Sequence, residues 1–248
     1  MHSSNPDPRV DRPAPAFDRI LLPRTLPVEI DWAKWLRGIE RKRRSVSRQP
    51  GTALPAWFNR RATIASFHLE GLEASEADLD DAQVPPHGRR AFRSRPRQRL
   101  RNHLAILLSV ERAAFKRESL KMEQVLRWYT VISSGLSTSE LGLPNMMRIE
   151  SIVRRINSPQ MRLQPAIQEI AKLHCDLLND PLFPSFNGIL TRLLLQVHLT
   201  HCGLPPVLFE PHNNTLKQGD AALLLPRLLE MIDQTFDHLA ASPSPEPA

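Results

Sequence analysis

Asn187-Gly188-Ile189-Leu190-Thr191-Arg192-Leu193-Leu194-Leu195-Gln196-Val197-His198-Leu199-Thr200-His201 is the stretch on which the fold is read. It reads as one helix from about 187 to 201. Gly203-Leu204-Pro205-Pro206 closes it with glycine and then proline, the order that stops a helix. Asn187 and Gly188 stand at its opening, where the unpaired N–H groups of a first turn make a natural anion site. A short link, Asp180–Phe186, precedes it, and a helical period over Ala166–Asn179 precedes the link. Arg148–Leu163 is the one stretch with strand character, and Asn157-Ser158-Pro159 splits it, so a small β-hairpin is expected there. Further upstream, Met122–Ile132 and Leu100–Lys116 are amphipathic helices, with loop-like sequence over Ser133–Asn145. Pro85–Arg97 reads as a basic loop. Ser75-Glu76-Ala77-Asp78 looks like a capping box, and a helix is expected over about 55–72, carrying Trp57, Phe58, Ile64 and Phe67. Glu29–Arg44 is amphipathic, with basic residues at its C-terminal end to suit the helix dipole. Downstream, Asp220–Leu239 is the last helix, interrupted near Pro226.

Composition agrees with an all-α fold. Glycine is scarce at 9 of 248 residues and aromatics are 6%, whereas strand-rich folds usually want more of both. Six of the 23 prolines fall in residues 1–27, which read with 241–248 as disordered tails around one domain over 28–240. No apolar run approaches the ~18 residues of a membrane span. Met1-His2-Ser3-Ser4-Asn5-Pro6-Asp7 has no apolar h-region, so no secretory leader is expected, and with only Cys175 and Cys202 a reducing cytoplasm is the simplest home. GxxxxGK[ST], GxGxxG, HExxH and GxSxG are all absent. The net charge of +7 concentrates in Arg37–Arg48 and in seven arginines between 89 and 101. Such runs attract nucleic acid or other polyanions, but they equally decorate a solvated face, and the second run carries only Phe92 as an interleaved aromatic.

Two segments carry more specific information. One is Ser66-Phe67-His68-Leu69-Glu70-Gly71; the other is His174 followed by Pro181-Leu182-Phe183-Pro184-Ser185-Phe186-Asn187-Gly188-Ile189-Leu190-Thr191-Arg192. Together they resemble the Fic (Fido) domain family, whose signature is HxFx(D/E)GNGRxxR and whose self-inhibited members carry an upstream helix with (S/T)xxxE(G/N). Ser66, Glu70 and Gly71 fit the inhibitory motif. Phe183, Asn187, Gly188 and Arg192 fit the F, the NG and the last R, and His174 stands seven residues before the catalytic position. The resemblance spans roughly residues 50–210. It implies an inhibitory helix over about 55–72, a core motif over 181–192, and a target-docking flap near 148–163.

The departures decide what the resemblance implies about activity. Pro181 stands at the catalytic His, Ser185 at the metal-binding carboxylate, Phe186 at the first Gly and Ile189 at the first Arg. The family moves AMP from ATP, with Mg²⁺, onto a target hydroxyl, and that requires a titratable base and charge neutralisation. Proline cannot accept a proton, and a serine hydroxyl is a poor ligand for a hard cation. Asp180 is the one neighbouring substitute base. Glu70 and Arg192 are both kept, so an ion pair between them is expected, closing the anion site formed by Asn187, Gly188 and Arg192. The leading expectation is a pseudoenzyme used as a binding or regulatory scaffold. The alternatives are an adenylyltransferase with an unorthodox base, needing ATP and Mg²⁺, and a basic nucleic-acid-associated protein.

Overall fold

The computed structural model describes residues 29–47, 54, 56–83, 95–116, 118–134, 142–158, 162–209 and 219–241. The expected tail at 1–27, residues 242–248 of the expected tail at 241–248, and residues 85–94 of the expected basic loop lie outside them, whereas Ala241 is the last residue of a helix. Nine helices and no strand occur among the described residues: α1 Trp32–Ser47, α2 Ala56–Leu69, α3 Glu76–Gln83, α4 Arg95–Phe115, α5 Met122–Ile132, α6 Met146–Asn157, α7 Leu163–Asn179, α8 Asn187–His201 and α9 Ala221–Ala241. The fold is all-α. None of these helices is long and apolar enough to cross a membrane.

The chain surrounds α8. Ile189, Leu190, Leu193, Leu194 and Val197 enter one buried cluster with residues of α2, α4, α5 and α6. Leu195 and Leu199 enter a second with residues of α1, α7 and α9. A helix buried against neighbours on all sides can be apolar all round, and this explains its lack of a polar stripe. Among its buried polar groups, the Gln196 side chain is satisfied locally: it donates to Val207 O at 2.7 Å and accepts from Val207 N at 2.8 Å.

Two expectations need correcting. No hairpin flap forms over 148–157; the segment is α6. Its β-branched residues suggested strands, yet Ile149, Ile152, Val153 and Ile156 recur at i, i+3, i+4 and i+7, and all four are buried. Asn145 caps the helix, its side chain accepting from Arg148 N at 3.2 Å. The helix stops just before Pro159, as the residue preceding proline disfavours helical geometry. With the hairpin goes the docking flap as drawn from the resemblance. The basic loop also ends earlier than expected, because residues 95–97 already belong to α4, and Pro96 is tolerated in a first turn whose N–H groups have no helical partner.

Candidate functional site

The link before α8 is held by one side chain. Asn187 Oδ1 accepts from Leu182 N at 3.0 Å and Phe183 N at 3.3 Å, and its Nδ2 donates to Leu177 O at 2.7 Å. Phe183 is buried against Tyr129, with ring centroids 5.3 Å apart. The link also leans on α6: Asn145 N donates to Leu182 O at 3.2 Å. The chain then enters α8 through Phe186 in the left-handed region, φ 57° and ψ 25°. It is the only non-glycine residue with positive φ among those described. Such a conformation favours glycine and costs other residues roughly 1–2 kcal/mol. The Arg99 guanidinium lies over the Phe186 ring, 4.8 Å from its centroid.

Gly71 has a comparable conformational role at the end of α2, with φ 72°. Its N–H donates to His68 O at 2.9 Å and Leu72 N–H donates to Phe67 O at 3.0 Å, the pair of bonds that closes a helix over a left-handed glycine. This cap leaves Glu70 at the C-terminal end of α2, where the helix dipole disfavours a carboxylate. The same carboxylate sits against the first turn of α8. A Cβ on Gly188 would collide with Glu70 Oε1 and lie 3.1 Å from Arg192 Nη1. Glycine at 188 is therefore the vacancy that the carboxylate fills.

Arg192 is the centre of the site. Only 3% of its side chain is exposed, against 27% for Glu70. Its Nε donates to Ser66 Oγ at 2.9 Å, and its Nη2 donates to Ser66 O at 2.8 Å and to Glu70 Oε1 at 2.8 Å. Burial lowers the pKa of the guanidinium, and the charge and hydrogen bond of Glu70 oppose that shift. His103 is buried nearby; burial first, and the charge of Arg192 second, push its pKa down to about 3. It is thus a neutral ring, hydrogen-bonded through Nδ1 to Thr63 Oγ1 at 3.0 Å.

Ser66, Glu70, Gly71, Gly188 and Arg192 are therefore brought together. Asn187 lies beside them, but its amide is committed to the link. Asp180 is engaged by α6: its carboxylate pairs with Arg148 Nη1 at 2.7 Å, and its carbonyl accepts from Arg148 Nη2 at 3.1 Å. Pro181 is exposed, Ser185 is partly buried and His174 is buried. Ile189 is fully buried in the core rather than turned toward a ligand. Sequence reasoning missed Arg99 and His103. Arg99 stands in a charge run, and its position over Phe186 singles it out.

The donor set does not suit a divalent cation. Ser185 contributes a neutral hydroxyl at best, and no group of three His, Cys, Asp or Glu that could hold a metal occurs among the described residues. No protein-family model and no curated protein matches the chain.

Proposed function

We propose that this chain is a Fic-like pseudoenzyme: a helical scaffold whose transferase centre has been dismantled and whose remaining anion subsite is shut by Glu70. The observation that carries the reading is the single buried guanidinium of Arg192 at the start of α8, shared between Ser66 and Glu70. A buried arginine beside a helix N-terminus is suited to a phosphate, held through paired N–H donors. Here a carboxylate occupies that role, placed by the cap of α2 on the space left by Gly188.

The chemistry for AMP transfer has no evident bearer. Pro181 has no proton-accepting group, Ser185 has no charge, and the position of a second phosphate-binding cation is filled by buried Ile189. Asp180 would have to leave Arg148 to act as a base. Phe186 and Arg99 stand at the mouth of the same turn. The work left to such a site is binding: an anionic group that displaces the Glu70 carboxylate would be read out by the helix pair α2 and α8.

The test compares wild type with Glu70→Gly in a thermal-shift series with ATP, ADP, CTP, UTP and GTP. A ligand at a hundred times its Kd adds about 2.7 kcal/mol of stability, so occupancy is readable. Nucleotide stabilisation that appears or strengthens in Glu70→Gly supports a closed anion subsite. Equal, negligible shifts in both proteins overturn it. Transfer of label from ATP to proteins of a lysate by wild type would overturn the pseudoenzyme reading and favour an enzyme with a substitute base.

A further inference from the structure

Helices α2 and α9 each turn a stripe of side chains toward a common cleft of about 320 Å³, floored by Leu208 and Phe209. The stripes are Arg61, Ile64, Ala65 and His68 on α2, and Met231, Gln234, Thr235 and His238 on α9. Both follow i, i+3, i+4, i+7, the spacing that usually lets one helix interlock with another. Ala65 and Thr235 in the inner positions are small, and a gap remains where larger residues would have met. The inner wall is apolar, through Ile64 and Met231, and the outer positions are polar, through Arg61, His68, Gln234 and His238. A concave apolar floor with a few convergent polar groups is the composition of small-molecule sites, which range over ~300–1,000 Å³.

The charges of the cleft are not balanced. Glu76 borders it, but its carboxylate accepts from Arg60 Nε at 2.8 Å and pairs with Arg60 Nη2 at 2.7 Å. Arg61 pairs with no carboxylate among the described residues; its guanidinium lies 5.9 Å from the centroid of the Trp57 ring. The same indole meets His238 edge to face, with centroids 5.7 Å apart. Trp57 thus gathers Arg61 and His238 at one end of the cleft. Thr235 Oγ1 donates to Met231 O at 2.9 Å, leaving its lone pairs directed elsewhere as acceptors. One end of the cleft is therefore cationic and aromatic, and the middle is apolar.

We propose that the α2–α9 cleft binds a small organic acid with a flat apolar body, its acid group at Arg61 and its body between Ile64 and Met231. This site is separate from the turn at α8 and does not depend on any reading of it. Arg61 and Glu70 are nine positions apart on the sequence, and only Arg61 borders the cleft.

The experiment titrates full-length protein carrying ¹³C-labelled histidine with 2-naphthoate, following the rings of His68 and His238; 2-naphthamide is the neutral isostere. The acid should give saturable shifts with a Kd at or below ~1 mM, and the amide should bind about tenfold more weakly, the size expected when one charge-assisted hydrogen bond is lost. Arg61→Gln should bring the acid down to the affinity of the amide and leave the amide unchanged. Met231→Trp, which fills the gap, should abolish both; should that variant not fold, the Arg61→Gln comparison decides alone. Equal binding of acid and amide, no effect of Arg61→Gln, or no saturable shift up to ~10 mM would each overturn the proposal.

Discussion

Replacing Gly188 by alanine tests whether the Glu70 carboxylate fills the space beside α8. In an ordinary helix interior this change stabilises by up to ~1 kcal/mol, because glycine has the greater backbone entropy to lose. Gly188 is helical, without positive φ, so no backbone strain stands in the way. The new methyl would nevertheless meet Glu70 Oε1, with Glu70 Cδ at 3.0 Å and Arg192 Nη1 at 3.1 Å. The carboxylate must swing out, leaving a guanidinium that is 3% exposed with Ser66 alone. Breaking a fully buried pair by removing one partner costs ~3–5 kcal/mol. Glu70 keeps 27% of its side-chain surface and can be partly resolvated, so about 1–3 kcal/mol is the appropriate loss here. Gly188→Ala should therefore destabilise wild type by about 1–2 kcal/mol net. In a Glu70→Gly background, the obstacle is gone and the same substitution should stabilise by roughly 0.5–1 kcal/mol. Urea unfolding of the four proteins of this cycle, at constant m-value, measures both numbers. Stabilisation of wild type by Gly188→Ala, or an equal effect in both backgrounds, would refute the placement of the carboxylate.

Three further outcomes follow from the same geometry. Asn187→Ala removes two hydrogen bonds that hold the link and one to α7, and should cost about 2–3 kcal/mol in urea unfolding; a loss under ~0.5 kcal/mol would mean that the link stands without it. Phe186→Gly relieves a left-handed residue while deleting its contact with Arg99, so its stability should stay within ~1 kcal/mol of wild type, whereas Phe183→Ala, fully buried on Tyr129, should lose about 3–5 kcal/mol; comparable losses would contradict the strain at 186. Burial, aided by the charges of His201 and Arg155, pushes His198 down to about 4 from an ordinary 6.5. Between those values the unfolded chain binds the proton and the folded chain does not, so stability is complete above pH ~6.5 and falls as pH drops toward ~4, by up to about 3 kcal/mol. His198→Gln should reduce the slope over that window by roughly half, His103, held down to about 3, supplying the remainder, and a wild-type profile that is level from pH 7 to 5 would contradict the assignment.

The helices were legible where the apolar period was strong and the punctuation clear. Residues 187–201 carry both an opening Asn-Gly and a closing Gly-Leu-Pro-Pro, and the observed α8 has the expected limits. Residues 148–157 misled because isoleucine and valine favour strands intrinsically, while their spacing is helical. In such a conflict the pattern decides, since one face must be buried and the alternative would expose part of the apolar set. The first turn of α4 was hidden by proline and arginine, residues that read as loop until Pro96 is recognised as compatible with a helix start.

The contact between Glu70 and Arg192 was legible only through the joint spacing of two short motifs, because nothing in either segment alone says that they meet. The structure adds why such a contact is stable. The left-handed Gly71 ends α2 at Glu70, the missing Cβ of Gly188 admits the carboxylate, and Ser66, one turn earlier, takes two donors of the guanidinium. Each of these residues is explained by the others, whereas Pro181, Ser185 and Ile189 are explained by none of them. Ile189 has instead joined the core, where a charged side chain would now be buried without a partner. Placing an arginine there would therefore damage packing. The contact of Glu70, Arg192, Ser66 and Gly188 is thus held together by its own members, and on the function proposed above its opening is the event that a ligand would drive.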